Sequence, residues 1–160
     1  MKRIIVVSDT HRDFYSLAKV AERHQNADLM IHLGDGYEDF CRLEGLFPNL
    51  KRYCVRGNCD FGLSKTVKLA EILEYGPARI FYTHGHIYEV KAGLDQLYQT
   101  GLDSGANVIL YGHTHIPMVD YQNGVHLMNP GSLGQPRDGI STYGMIDMDN
   151  DWINCHIAKL

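Results

Sequence analysis

Five short apolar runs, each stopping at a residue able to hold a metal ion, constrain this chain more than any other feature. They are Ile4 to Val7 running into Ser8-Asp9-Thr10-His11, Leu29 to Leu33 into Gly34-Asp35, Tyr53 to Val55 into Gly57-Asn58, Ile80 to Tyr82 into His84, and Val108 to Tyr111 into Gly112-His113-Thr114-His115. Runs of this length, rich in Val, Ile and Tyr and bounded by glycine, read as buried strands, and strands covered by helices are usually parallel. Ligands of such sheets bind beyond the carboxyl ends of the strands. The seven ligand-type side chains are therefore expected along one edge.

The segments between the runs supply the crossovers. Leu17, Val20 and Ala21 fall at helical spacing behind Asp13, a good N-cap, which predicts a helix from Phe14 to about Gln25. A second helix is expected from Tyr37 to Leu46, ending before Pro48, and a third from about Lys91 to Ser104, stopped by Gly105. Gly76-Pro77 splits the stretch from Lys65 to His84 into a hairpin. After His115 the pattern changes to short runs, Met118 to Tyr121, Gly124 to Met128, Thr142 to Met148 and Trp152 to Ile157, joined by Asn, Asp and Gly turns. An antiparallel tail following a βα half fits two mixed sheets packed face to face with helices outside. The expectation is an α/β fold and a single domain over residues 1–160.

Charge and cysteine usage narrow the function classes. With 15 Lys+Arg against 19 Asp+Glu the net charge is -4, so the chain lacks the basic field that duplex nucleic acid requires. Only four aliphatic residues follow Met1-Lys2-Arg3, too few for a signal-peptide core or a membrane span, which predicts a cytoplasmic protein with no membrane partner. Cys41, Cys54, Cys59 and Cys155 form no CxxC pair and read as reduced thiols.

Asp9-x-His11 sets two donors one residue apart, and in extended backbone such residues point to one side, so both would grip one ion; His113-x-His115 repeats the arrangement. Adding Asp35, Asn58 and His84 exceeds what one tetrahedral ion can use. A pair of ions bridged by a carboxylate accommodates all seven, and N/O donors without an obvious thiolate suit Mn, Fe, Zn, Co or Ni. Two carboxylates against two dications leave about two positive charges, a field for an anionic substrate. Hydrolysis of a phosphate ester by a metal-bound hydroxide follows from that chemistry. Each dipeptide alone also reads as an ordinary hydrogen-bonded turn; five strand ends carrying donors together point to metal.

The ordered motifs Asp9-Thr10-His11, Gly34-Asp35, Gly57-Asn58-Cys59-Asp60, Thr83-His84-Gly85-His86 and Gly112-His113-Thr114-His115 resemble those of the calcineurin-like metallophosphoesterase superfamily, and most closely its small phosphodiesterases of the YfcE type. Asn129-Pro130-Gly131-Ser132 followed by Pro136-Arg137 is similar to the C-terminal pattern of that subfamily. The resemblance implies a four-layer α/β/β/α sandwich and two divalent ions, manganese being usual. It places Asp9, His11 and His115 on one ion, Asn58, His84 and His113 on the other, and Asp35 between them.

One position departs from the pattern: Cys59 stands where much of the superfamily carries a histidine thought to assist the leaving group. A neutral thiol is a poor substitute for an imidazolium acid, which predicts slow turnover and a preference for activated diesters. Asn58 and Asp60 are expected at the reacting centre, Asp60 orienting a ligand or capping the turn. Arg137, Arg12 and Cys59 are the candidates for touching substrate, Arg56 a weaker one, and His86 faces the cleft or packs on the sheet. Specificity is expected from walls built by Phe61 to Ser64, the Tyr88 region and the Arg137 loop. The reading is a dimetal phosphodiesterase for a small phosphodiester. The alternatives are a non-catalytic scaffold of the same fold and a phosphomonoesterase, and the sequence accommodates a homo-oligomer.

Overall fold

The structure, a computed structural model, describes residues 1–63 and 66–160; Ser64 of the expected cleft wall and Lys65 of the expected hairpin segment lie outside the described residues. In chain order the elements are β1 (Lys2–Val7), α1 (Phe14–Arg23), β2 (Leu29–His32), α2 (Tyr37–Leu46), β3 (Arg52–Cys54), β4 (Ala70–Tyr75) and β5 (Ala78–Thr83). A 3-10 turn (His86–Tyr88), α3 (Asp95–Asp103), β6 (Val108–Leu110), β7 (Met118–Gln122), β8 (Val125–Asn129), β9 (Thr142–Asp149) and β10 (Trp152–Lys159) complete the chain. Two five-stranded sheets result, ordered β10-β9-β1-β2-β3 and β4-β5-β6-β8-β7.

Alternation along the strands sets the layers. In β1, Ile4 and Val6 join Ile31, Ile80, Leu110 and Met128 in the core between the sheets, while Ile5 and Val7 point outward onto Leu17 and Val20 of α1 and Leu43 of α2. Phe81 and Ile109, on the outer face of the second sheet, meet Leu97 of α3 in the same way. Strands buried on both faces need apolar residues at every position, which is why the runs are continuous. Each such Ile or Leu contributes about 1.5–3 kcal/mol by leaving water. The four-layer α/β/β/α sandwich is as expected.

β1, β2 and β3 run parallel, as do β5, β6 and β8. The antiparallel tail is divided between the sheets: the β7–β8 hairpin extends the second through β8 and β6, and β9–β10 extends the first through β9 and β1. Asp13 caps α1 as expected, accepting from the Ser16 N–H at 3.0 Å. α3 begins at Asp95, four residues after the expected start, because Glu89 adopts φ 51° and the Ala92 N–H turns back to the Glu89 carbonyl at 2.8 Å. No helix among the described residues is long and apolar enough to cross a membrane.

Candidate metal centre

The loops after β1, β2, β3, β5 and β6 converge at one end of the two sheets. They bring Asp9, His11 and His115 into one group and Asp35, His84 and His113 into another, with the donor atoms of each group within 4.8 Å of one another. The extended-backbone expectation for the two x-spaced pairs does not hold. Asp9 (φ 54°), His11 (44°), His113 (70°) and His115 (61°) all lie in the left-handed region, so side-chain direction no longer follows a period of two, and His113 and His115 enter different groups. Asp35 sits between the groups, its Oδ2 at 3.3 Å from His84 Nε2 and 3.7 Å from His11 Nε2. Asn58 Oδ1 lies 3.1 Å from His84 Nε2.

The proton inventory of these residues fits cations. Asp9 Oδ2 accepts from the Ser8 hydroxyl at 2.6 Å and the His113 N–H at 3.0 Å. Its Oδ1 is buried and has no hydrogen-bond partner among the described residues, and it faces Nε2 of His115, His11 and His84 at 3.1, 3.5 and 3.8 Å. His84 Nδ1 donates to the Leu33 carbonyl at 2.8 Å, and His115 Nδ1 to that of Gln135 at 2.7 Å. In the neutral imidazoles each Nε2 is then a bare lone pair. His84 Nε2 thus faces the oxygen of Asn58, and His115 Nε2 faces His11 Nε2 at 3.2 Å. Lone pairs converging on lone pairs and carboxylates repel unless protons or cations lie between them, and divalent ions satisfy the whole set at once.

The fields inside the group are strong. Burial pushes the Asp9 carboxyl up, but the imidazoles of His11 and His115 outweigh it and hold the group well below the carboxylate range. The Asp9 carboxylate beside it raises His11. Burial, reinforced by His84 and Lys91, lowers His113 to about 4, which keeps its ring unprotonated and able to act as a donor at neutral pH. Burial, with the neighbouring Asp35 charge, pushes the Cys59 thiol up to about 11.

Supporting contacts explain residues whose role the sequence left open. Asp60 accepts four backbone N–H groups, those of Asp35 (2.8 Å), Gly36 (3.0 Å), Tyr37 (3.1 Å) and Gly57 (2.8 Å), so its carboxylate holds the Asp35 loop and the start of α2 rather than standing free over the cleft. Gly57 has to be glycine because a Cβ there would run into the Asp35 side chain and lie 2.6 Å from the Asp35 N. Asn129 donates to Gly112 O at 3.0 Å and to Thr114 Oγ1 at 2.9 Å, and the Ser132 hydroxyl donates to Asp9 O at 2.7 Å. The Asn-Pro-Gly-Ser segment therefore pins two of the donor loops. Thr10, His32 and Asp39, none of them among the candidate site residues, form a buried chain between the Asp9 loop and α2.

Two recesses open beside the centre. One, of about 550 Å³, is lined by His11, Arg12, Tyr37, Cys59, Asp60 and Phe61 among others. The other, of about 580 Å³, contains Lys91, Thr114 and Arg137. Arg56 is turned away, its Nε donating to the Val67 carbonyl at 3.1 Å. Tyr88 packs edge-on against Phe81 with ring centroids 6.0 Å apart. His86 lies beside His84 and His113, at 5.4 and 6.1 Å between ring centroids, with its Nδ1 buried and unpartnered.

A family model for the calcineurin-like phosphoesterase superfamily domain matches residues 1–151. The chain belongs to that superfamily. It is 36% identical to the probable metallophosphoesterase YsnB of Bacillus subtilis over 92% of this chain and 85% of that protein. It is 29% identical to the phosphodiesterase YfcE of Escherichia coli over 93% of this chain and 89% of YfcE. Among solved structures, a Streptococcus pneumoniae protein described as a predicted phosphoesterase superposes with a TM-score of 0.83 at 27% identity, covering 99% of this chain and 89% of that one. The membership and the sandwich fold agree with the resemblance read from the motifs.

Proposed function

We propose that this chain hydrolyses a small phosphodiester with the help of two divalent transition-metal ions. It is a metal-dependent phosphoric ester hydrolase of a single domain, working in the cytoplasm. Asp9, His11 and His115 hold one ion, Asn58, His84 and His113 the other, and Asp35 bridges, with manganese the first candidate for the metal. When bound, such ions supply Lewis acidity at the phosphoryl oxygens and make water a nucleophile near neutral pH. The observation that carries the reading is Asp9 Oδ1, a buried carboxylate oxygen with no hydrogen bond, ringed by imidazole nitrogens.

The chain's own contribution is orientation. Backbone N–H groups and hydroxyls occupy the outward oxygens of Asp9 and Asp35, so the remaining oxygen of each is aimed inward. Arg12 and Arg137 stand at the two recesses, where a guanidinium matches an anionic group of the substrate. Two separate recesses suit a phosphorus carrying two alcohols. Cys59, with its thiol near 11, is a weak acid beside the site and favours substrates whose leaving group needs no proton.

The test is hydrolysis of an aryl phosphodiester and the matching aryl monoester by chelator-stripped protein, with Mn, Zn, Ni, Co, Fe or Mg returned singly, beside Asp35→Asn. Diester activity that returns with a transition metal and is lost in the variant is expected. A tenfold preference for the monoester, about 1.4 kcal/mol in barrier, would replace the reading with a phosphomonoesterase. Inactivity with every metal in folded protein would leave a scaffold.

A further inference from the structure

The two recesses differ in chemistry, and the difference bears on the substrate. The one beside Cys59 has Asp35, Glu38, Asp39 and Asp60 in its lining, with Arg12 as its cation. The other has no acidic residue in its lining. It carries Lys91 and Arg137, and among the described residues neither has a carboxylate within 4.0 Å. Between these cations the surface is apolar, formed in part by Leu94, Ile116 and Met118, and Ile116 is 53% exposed.

The same recess reaches the loop that carries His113 and His115. Thr114, in its wall, is the residue between His113 and His115. Arg137 is tied to this loop through Nε to the Thr114 carbonyl at 3.4 Å and its own N–H to the His115 carbonyl at 3.5 Å. A group extending about one side chain from the reacting phosphorus would therefore lie on the apolar floor with its far end between the two cations. At about 580 Å³ the recess is within the range of small-molecule sites, roughly 300–1,000 Å³.

We propose that this recess seats one of the two alcohols of the phosphodiester and selects an alcohol with an apolar body ending in an anionic group. The inference rests on the phosphodiesterase reading and extends it from reaction to substrate class. The recess beside Cys59 takes the other alcohol.

The experiment compares three 4-nitrophenyl phosphodiesters on metal-reconstituted protein, the second alcohol being ethanol, 2-phenylethanol or 2-(4-carboxyphenyl)ethanol. The leaving group is common to all three, so differences in kcat/KM report the recess. The expected order is ethyl, then phenylethyl, then carboxyphenylethyl, with about tenfold between the last two from a charge-assisted contact. The double variant Lys91→Met, Arg137→Met should abolish the carboxylate preference while keeping the phenyl preference, and Leu94→Glu should reverse the carboxylate preference. Equal rates for all three diesters, or a carboxylate preference that survives the double variant, would overturn the proposal. Should no diester be hydrolysed, the phosphodiesterase reading fails, and the recess is then judged by methyl NMR with 2-(4-carboxyphenyl)ethanol. Shifts at Leu94, Ile116 and Met118 that vanish in the double variant support an anion-selective seat; their absence refutes it.

Discussion

His32 makes a pH dependence of stability that can be worked from its surroundings. Its side chain is fully buried on β2. Nδ1 accepts the Gly34 N–H at 3.1 Å, so the proton sits on Nε2 and is donated to Thr10 Oγ1 at 3.2 Å, and the Thr10 hydroxyl donates to Asp39 Oδ2 at 2.7 Å. Both nitrogens are used by the neutral ring, and burial lowers its pKa from 6.5 to about 4. A depressed histidine stabilises the fold above its unfolded pKa, and that stability is lost as pH falls towards the folded value. Between pH 7.5 and pH 5 the unfolded state takes up a proton that the folded state refuses. With pKa values of 6.5 and about 4 the linkage integral, RT ln[(1 + 10^1.5)/(1 + 10^-1)], is about 2 kcal/mol. The assay is urea unfolding at both pH values, in chelator, for the wild type and His32→Gln. The variant lacks the titrating ring, so its stability should fall by about 2 kcal/mol less over the same interval, whatever the metal-centre histidines, common to both, contribute. Identical pH slopes for the two proteins would refute the reasoning.

Three further outcomes are expected. Asp60→Asn leaves several of the backbone N–H groups around Asp35 without a full acceptor, and metal affinity by calorimetric titration should fall about 10–100-fold, as for other groups that orient ligands. Ile31→Ala, deep between the sheets, should cost about 2–5 kcal/mol in chemical denaturation. Cys59→His should raise kcat/KM for alkyl phosphodiesters more than for aryl ones, because it adds an acid where the leaving oxygen needs one; an equal effect on both classes would count against the missing-acid account.

The strand ends were legible because burial on both faces writes a continuous apolar run, and parallel strands put their carboxyl ends on one edge. The division of the tail between sheets was not, since nothing in the β7–β8 hairpin itself says that β8 will lie beside β6. The start of α3 was missed because Lys91 to Leu94 contain nothing that forbids a helix, and the left-handed Glu89 just before them is a tertiary choice.

The geometry of the centre was hidden for a related reason. Of the eight non-glycine residues with positive φ among the described residues, six are Asp9, His11, Arg12, Asp35, His113 and His115, all in the donor loops. Each such conformation costs roughly 1–3 kcal/mol and persists only where its surroundings over-determine it. Those surroundings are Asp60 on the Asp35 loop, Ser132 and Ser8 on Asp9, Asn129 on the Gly112 loop and Gln135 on His115. The motifs contain the donors and several residues that hold them, Asp60, Asn129 and Ser132 among them, but not what those residues hold, and that decides which donors meet. Strain, orphaned lone pairs and the densest side-chain support coincide at one edge of the sandwich, and a cation there would relieve the electrostatic part while the support maintains the rest. Loosening the support should therefore reduce metal affinity before it unfolds the protein, which separates Asp60→Asn, acting at the centre, from Ile31→Ala, acting on the core.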